Sequence, residues 1–414
     1  MIKEPKYFFD KGYGTLSNNK FKTDVEFELF LISGEVVIYC KTKKLSPFVF
    51  VNSDNLTLSG FTEENKKIQA NNLLAPLITN DFIELVPNPF VFIGDYFDNF
   101  YDQISFPITN LFDVRLDLNF NGFDINIKPH GEKIQERISR YWKIPQVGTI
   151  IKLTKKTEVI TNYEVTINSI ILLLSLAKGR HISFAVMKQY QKDKQLTVLG
   201  NKFCSNNYIH EIVPTSYLSD FLMNGTKVLT SWSNDEILDF KTVLEYLNDT
   251  DTGYLDDRVF RIMQCWEIVA NRWSNASKKL PTELNGLKQS LRRILKSWHT
   301  EFTNYDVEKF WDNRILGSLK WQKNITTLED TLARYCIDNS KLKVDFKKLV
   351  DYRNAVAHSG RLGKEKPIVE LITAQFSLRL VLLRLLDYDN KVLDYRFSNE
   401  DYIKPIDIKV FLTS

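Results

Sequence analysis

The hydrophobic period of this 414-residue chain changes along its length, and that change limits its fold more than any other feature. In FELFLISGEVVIYC, PFVFVNSDNLTLSGF and LFDVRLDLNFNGFDINIKP, all within the first 160 residues, apolar side chains recur at every second position between Asn-Gly, Ser-Gly and Asn-rich turns. Successive side chains of a strand point to opposite faces, so this pattern buries one face of a sheet and predicts a sandwich or barrel. From residue 163 the pattern mixes. YEVTINSIILLLSLAKGR predicts a buried helix stopped at Gly179, and HISFAVMKQYQ and QLTVLGNKF predict two strands. NDEILDFKTVLEYLND predicts a helix capped by an Asn or Asp near Asn234.

A polar stretch, NDTDTG, closes this region, and after Gly253 the strand pattern stops. Leu255, Val259, Ile262, Trp266, Val269 and Trp273 fall three or four apart, the stripe of an amphipathic helix. Further stripes follow: Leu287, Leu291, Ile294 and Trp298; Phe310, Leu316 and Leu319; Leu328, Leu332 and Tyr335; Phe346, Leu349 and Val350. The last helix, PIVELITAQFSLRLVLLRLLD, opens with Pro367 and is apolar nearly all round, which makes it either central to a bundle or buried in a dimer. The expected fold is therefore α+β: a β-rich N-terminal domain over residues 1–250, sandwich- or barrel-like with a few helices, and an all-α bundle over residues 251–414.

Hydrophobic residues at 43% and charged residues at 26% place the chain among globular proteins. No apolar run reaches the ~18–20 residues that span a bilayer, and MIKEPKYFFDKGYG lacks the apolar stretch of a signal peptide. The expectation is a cytoplasmic protein without a membrane partner. Cys40, Cys204, Cys265 and Cys336 lie far apart and read as reduced core thiols; His130, His181, His210, His299 and His358 are equally scattered. Neither HExxH nor CxxC occurs, so neither a metal nor a cofactor is expected.

Charge is distributed unevenly. Residues 251–414 hold 28 basic against 22 acidic side chains, a net +6, which leaves residues 1–250 at −2. Between 341 and 366, Lys341, Lys343, Lys347, Lys348, Arg353, Arg361, Lys364 and Lys366 face only Asp345, Asp351 and Glu365. Such a run suits a phosphate-bearing partner, although most runs of this size are solvated helix faces.

Within it, LVDYRNAVAHSGRLG carries the chemistry. Helical spacing puts Asn354 and His358 four apart on one face, with Arg353 about 140° around the axis from His358, within the swing of a long guanidinium arm. Arg353 would neutralise a phosphate with forked hydrogen bonds as charge builds in the transition state. His358 could carry a proton between a 2′-hydroxyl, the phosphate and the leaving oxygen, because imidazole titrates near neutrality. Asn354 would orient the imidazole or bond the phosphate. A 2′-hydroxyl as internal nucleophile points to RNA, cut without a metal.

The string Arg-Asn-Ala-Val-Ala-His, late in a helical region and followed by a long apolar helix, resembles the R-x4-6-H motif of the HEPN superfamily. The resemblance covers residues 252–390, and Arg353, Asn354 and His358 match the motif position by position. It implies a helical domain that acts as a homodimer, with two motifs facing one cleft, and a metal-independent endoribonuclease. It also implies an acidic residue on the first helix, for which Glu267 in RIMQCWEIVANRW stands. Lys347, Lys348, Arg361 and Lys364 are the accompanying candidates for contact with RNA. The β-rich half with LTLSGFTEENKKIQANNLLAP and SIILLLSLAKGR, joined to such a domain, is similar to the ApeA family of bacterial anti-phage defence proteins. That similarity implies an abortive-infection ribonuclease whose N-terminal half senses or restrains in response to a phage-derived trigger or inhibitor.

The competing reading is a bundle that dimerises or binds RNA without cutting, with an N-terminal domain for a protein or small ligand. Three weaker signals are set aside. KGYGTL, with Gly12 and Gly14, reads as a turn and not as a nucleotide fingerprint. Asp54, Glu64 and Lys66 mimic a metal-nuclease triad, but ENKK reads as a polar hairpin tip. Phe90, Phe92, Tyr96, Phe97, Phe100 and Tyr101 could stack bases, yet such clusters are usually core.

Overall fold

The structure is a computed structural model describing residues 6–32, 35–42, 55–78, 82–87, 90–94, 102–109, 111, 114–120, 122–129, 147–156, 163–184, 186–200, 211–250, 254–273, 290, 327–362, 367–396 and 405–413. The chain forms two compact units: Met1–Tyr208 with Leu218–Thr226, and Ile209–Tyr217 with Lys227–Ser414.

In the first unit the alternating segments become thirteen described strands of one antiparallel sheet. They are β1 (Lys6–Ser17), β2 (Lys22–Ile32), β3 (Glu35–Thr42), β4 (Leu56–Thr62), β5 (Lys67–Ile78), β6 (Ile83–Val86) and β7 (Phe90–Gly94), then β8 (Gln103–Thr109), β9 (Leu116–Phe120), β10 (Phe123–Pro129), β11 (Val147–Lys155), β12 (Val186–Gln191) and β13 (Lys194–Gly200). The order β4-β1-β2-β3-β6-β5 closes on itself because β5 also pairs with β4, giving a six-stranded barrel; β5 continues through β7 to β13-β12-β8-β11-β10-β9. Closure leaves the barrel strands few open edges. The period of two is visible in β2, where Val25, Phe27 and Leu29 are buried while Asp24, Glu26 and Glu28 are exposed. Leu16, Ile38, Leu58, Ile68 and Ile83 join them in one apolar core.

Gly12 and Gly14 do not form a turn. They lie inside β1, and Gly14 pairs directly with Gly60 of β4. A Cβ on Gly14 would stand 2.5 Å from the Ser59 carbonyl oxygen, and one on Gly60 2.3 Å from that of Tyr13, so the two strands approach too closely for side chains there. The ENKK tip is a turn between β4 and β5, closed by the Thr62 N–H donating to the Lys66 carbonyl oxygen at 2.9 Å; Asp54 lies outside the described residues. Phe90 and Phe92 fall in β7, and Tyr96, Phe97, Phe100 and Tyr101 lie outside the described residues. Helix α1 (Tyr163–Lys178) stops at Gly179, whose φ is +58°. Helix α2 (Leu218–Thr230) meets it where Gly225 leaves room for Leu173.

The second unit contains α3 (Asn234–Asp249), α4 (Leu255–Trp273), helical residues 327–334, α5 (Asn339–Leu342), α6 (Phe346–Ser359) and α7 (Ile368–Leu385). The cap of α3 is Ser233 and not Asn234: its hydroxyl accepts from the Glu236 N–H while the Glu236 carboxylate accepts from the Ser233 N–H at 2.8 Å. Strands do not stop at Gly253 either. β14 (Lys391–Leu393) and β15 (Pro405–Asp407) form a small antiparallel pair, each too short to show a period. Helix α7 is buried within the chain along Leu371 and Thr373–Leu383, while Ile368 and Val369 in its first turn are exposed. Trp266 of α4 anchors it, donating its indole N–H to the Ala374 carbonyl oxygen at 3.3 Å and meeting Phe346 edge-on at 5.0 Å.

The stripes at Leu287–Trp298 and Phe310–Leu319 lie outside the described residues. Cys40 and Cys265 are buried, and burial pushes both thiols up, as expected of inert core cysteines. Cys336 is exposed and so not core, because it sits at a positive-φ turn, and Cys204 lies outside the described residues. No described helix is long and apolar enough to cross a membrane.

Candidate active site

Helix α6 carries the candidate residues, and its start is fixed by Asp345, whose carboxylate accepts from the Lys348 N–H at 2.9 Å. Phe346, Leu349, Val350 and Tyr352 bury its first two turns. Beyond Tyr352 nothing in α6 is buried: Arg353, Asn354 and Val356 are half-exposed, and Ala355, Ala357, His358 and Ser359 are exposed. Gly360, at φ +70°, ends the helix.

Helices α4 and α6 run antiparallel, as two contacts show. Late in α4, the Glu267 carboxylate accepts from the Arg353 guanidinium at 2.5 Å. At its start, Asp256 accepts from the Leu362 N–H at 2.8 Å, just past the end of α6. The two contacts bracket the turn that bears His358. Arg353 also donates to the Asn354 side-chain oxygen at 3.2 Å, which leaves three of the five guanidinium N–H groups without an acceptor among the described residues. Side-chain exposures of 29% for Arg353 and 31% for Glu267 leave the pair open to an incoming ligand. A half-exposed pair of this kind adds at most about 1 kcal/mol of stability, so its effect is mainly to aim the guanidinium.

The structure therefore brings Arg353, Asn354 and Glu267 together and leaves His358 about 6 Å further along the axis from Asn354, exposed and without a hydrogen bond to any described residue. The other candidates scatter. Lys347 and Lys348 stand exposed on the first turn of α6, and Arg361 is exposed just beyond its end. Lys364 lies outside the described residues. The basic run is also less positive in space than in sequence: Lys348 pairs with Glu370 of α7, Lys341 with Asp338 at 3.6 Å and Arg353 with Glu267. The hydrogen bond from Lys348 to Glu370, with a second to Tyr352, holds the Lys348 ammonium well above its usual range. Lys347 and Arg361 have no acidic partner among the described residues and remain available to a phosphate. Among the described residues no three His, Cys, Asp or Glu side chains cluster as metal ligands would.

Asp256 and Glu370 were not foreseeable as parts of this site. Each belongs to another helix, and no local spacing ties it to the Arg-Asn-Ala-Val-Ala-His string. No family model, curated protein or solved structure matches this chain.

Proposed function

We propose that the chain is a metal-independent endoribonuclease of the HEPN type. The observation that carries this reading is the half-exposed guanidinium of Arg353, aimed by Glu267 and Asn354 on the same exposed helix end that presents His358. In the proposed reaction the RNA 2′-oxygen attacks the adjacent phosphorus and the 5′-oxygen leaves, giving a 2′,3′-cyclic phosphate. Arg353 stabilises the charge that builds on the non-bridging oxygens. An imidazole at position 358 takes the 2′-hydroxyl proton or supplies one to the leaving oxygen.

One His and one Arg per helix serve only part of this proton traffic, so we place the reaction in a homodimer with two α6 ends facing one cleft. The exposed end of α6, and not the buried α7, is the surface for that pairing. Light scattering at micromolar concentration should give twice the chain mass; a monomer that still cuts RNA contradicts it. We further assign the protein to cytoplasmic anti-phage defence by abortive infection, with the N-terminal half restraining the nuclease until a phage-derived trigger arrives. Induced wild-type chain should then slow a bacterial host less before infection than after it, and constant toxicity regardless of phage would contradict the restraint.

The reading as a whole is tested by incubating the purified chain with total RNA in excess chelator. Fragmentation should proceed. Fragmentation only on adding magnesium contradicts the metal-free mechanism, and none under any condition leaves the non-cutting RNA-binding module in its place.

A further inference from the structure

A groove of 710 Å³ opens on the outer face of the barrel, over β1, β2, β4 and neighbouring strands. We propose that it is a nucleotide-binding site, a proposal that goes beyond the ribonuclease reading and does not depend on it.

The site is built from the strand register. Gly14 and Gly60, which pair directly, line the groove with bare backbone, and the clash that a Cβ would make at either keeps β1 and β4 pressed together. Beside them Tyr13 and Phe61 also pair directly, and both rings stand in solvent at 58% and 49% exposure. Two large aromatics side by side on an outer sheet face contribute nothing to the core, but offer a platform on which a nucleobase can stack.

The same row continues on both sides. Lys67 of β5 is opposite Phe61, Glu26 of β2 is opposite Tyr13, and Lys41 of β3 is opposite Glu26. Two lysines near the groove are neutralised, Lys11 by Glu63 at 2.8 Å and Lys66 by Glu64 at 2.5 Å. Lys41 and Lys67, which line it, have no carboxylate partner among the described residues. Two ammonium groups, Lys67 beside Phe61 and Lys41 one strand beyond Glu26, suit a phosphate. The carboxylates of Asp24 and Glu26, also in the lining, suit hydroxyl or amino donors. A simple anion would leave the rings unused, and a simple cation would meet the lysines. A nucleotide uses all three features, with its base on Tyr13 and Phe61, its phosphate toward a lysine, and its ribose or exocyclic amine toward the carboxylates. A groove of this volume falls in the range of small-ligand sites.

The test uses the full chain in a His358→Ala background, so that no probe is cut. Nucleoside 5′-monophosphates are titrated by calorimetry and a labelled single-stranded RNA hexamer by fluorescence anisotropy. Tyr13→Ala and Phe61→Ala should each weaken binding about tenfold, while Tyr13→Phe retains it. Lys41→Glu with Lys67→Glu should weaken it at least as much and flatten its salt dependence. These side chains are exposed, so circular dichroism should show unchanged folding. Displacement of the hexamer by a monophosphate identifies a free nucleotide as the ligand; hexamer binding alone identifies a strand. Saturation by neither probe at about 1 mM, or unchanged affinity in both aromatic variants, overturns the proposal. So does a groove that takes only a peptide and loses it in Tyr13→Ala.

Discussion

Two neighbouring helices of the second unit use their sequences in opposite ways. α7 is buried along Leu371 and Thr373–Leu383 and holds the bundle together. α6 buries only Phe346, Leu349, Val350 and Tyr352, then runs on for two turns in which no residue is buried. That end is where Arg353, Asn354 and His358 sit, clamped by Glu267 and Asp256 from α4. The buried core and the candidate site therefore lie on separate segments, and on the proposed function substitutions should divide accordingly.

The largest expected effect is on activity. His358→Ala should lower RNA cleavage about 10²–10⁴-fold, the range of a lost general acid or base, and Arg353→Ala about 10²–10³-fold. Neither should shift the denaturation midpoint appreciably, because neither side chain is buried. Wild-type cleavage rates in both would remove the site; large losses of stability would remove the division between the two helices. The reverse pattern is expected at α7. Phe376→Ala, which deletes a fully buried ring packed against Tyr395 at 5.4 Å, should cost about 3–5 kcal/mol in urea unfolding. A cost below 1 kcal/mol there would show that α7 is not the structural centre.

Glu267→Gln sharpens the comparison, because it keeps the shape and removes the charge that aims Arg353. Cleavage should fall about tenfold with stability changed by no more than about 1 kcal/mol. An unchanged rate would mean that the ion pair is incidental. The smallest effect belongs to α3, away from the site: Ser233→Ala should cost about 1 kcal/mol with no loss of cleavage. The Ser233 hydroxyl, donating at 2.7 Å, holds the Glu236 carboxyl below its usual range. The stabilisation from that depressed value is present above the ordinary glutamate pKa and lost as pH falls through the lowered one. Acid titration should therefore narrow the gap between wild type and Ser233→Ala, leaving only the cap on the Glu236 N–H; a gap that does not change with pH would mean that the hydroxyl does not favour the carboxylate.

The sequence discloses those parts of the fold that repeat locally. The alternation in β2, the stop of α1 at Gly179 and the stripes of α4 and α6 follow from period and punctuation alone. Barrel closure does not, because the β4–β5 and β5–β7 pairings depend on which strands meet, and alternation is the same in any register. Gly12 and Gly14 read as a turn because glycine marks both turns and close strand approaches, and only the partner Gly60 tells them apart. Helix α2 is hidden although Leu218, Phe221, Leu222 and Leu229 form a helical stripe, because Asn224 and Gly225 in its middle are poor helix formers whose cost packing against Leu173 overrides. At the site, Arg353, Asn354 and His358 share one local string, and Glu267 was legible through the HEPN resemblance. The neutralising roles of Glu370 and Asp338, and the clamp at Asp256, needed the helices to be placed.

The most direct test of the account is the chemistry of the cut ends. Wild type and His358→Ala are incubated with one defined RNA in excess chelator, and the 3′-termini are sequenced with and without a phosphatase that opens cyclic phosphates. The account predicts 2′,3′-cyclic phosphate or 3′-phosphate ends in wild type and almost none in His358→Ala. Free 3′-hydroxyl ends, or equal yields from both proteins, would contradict it.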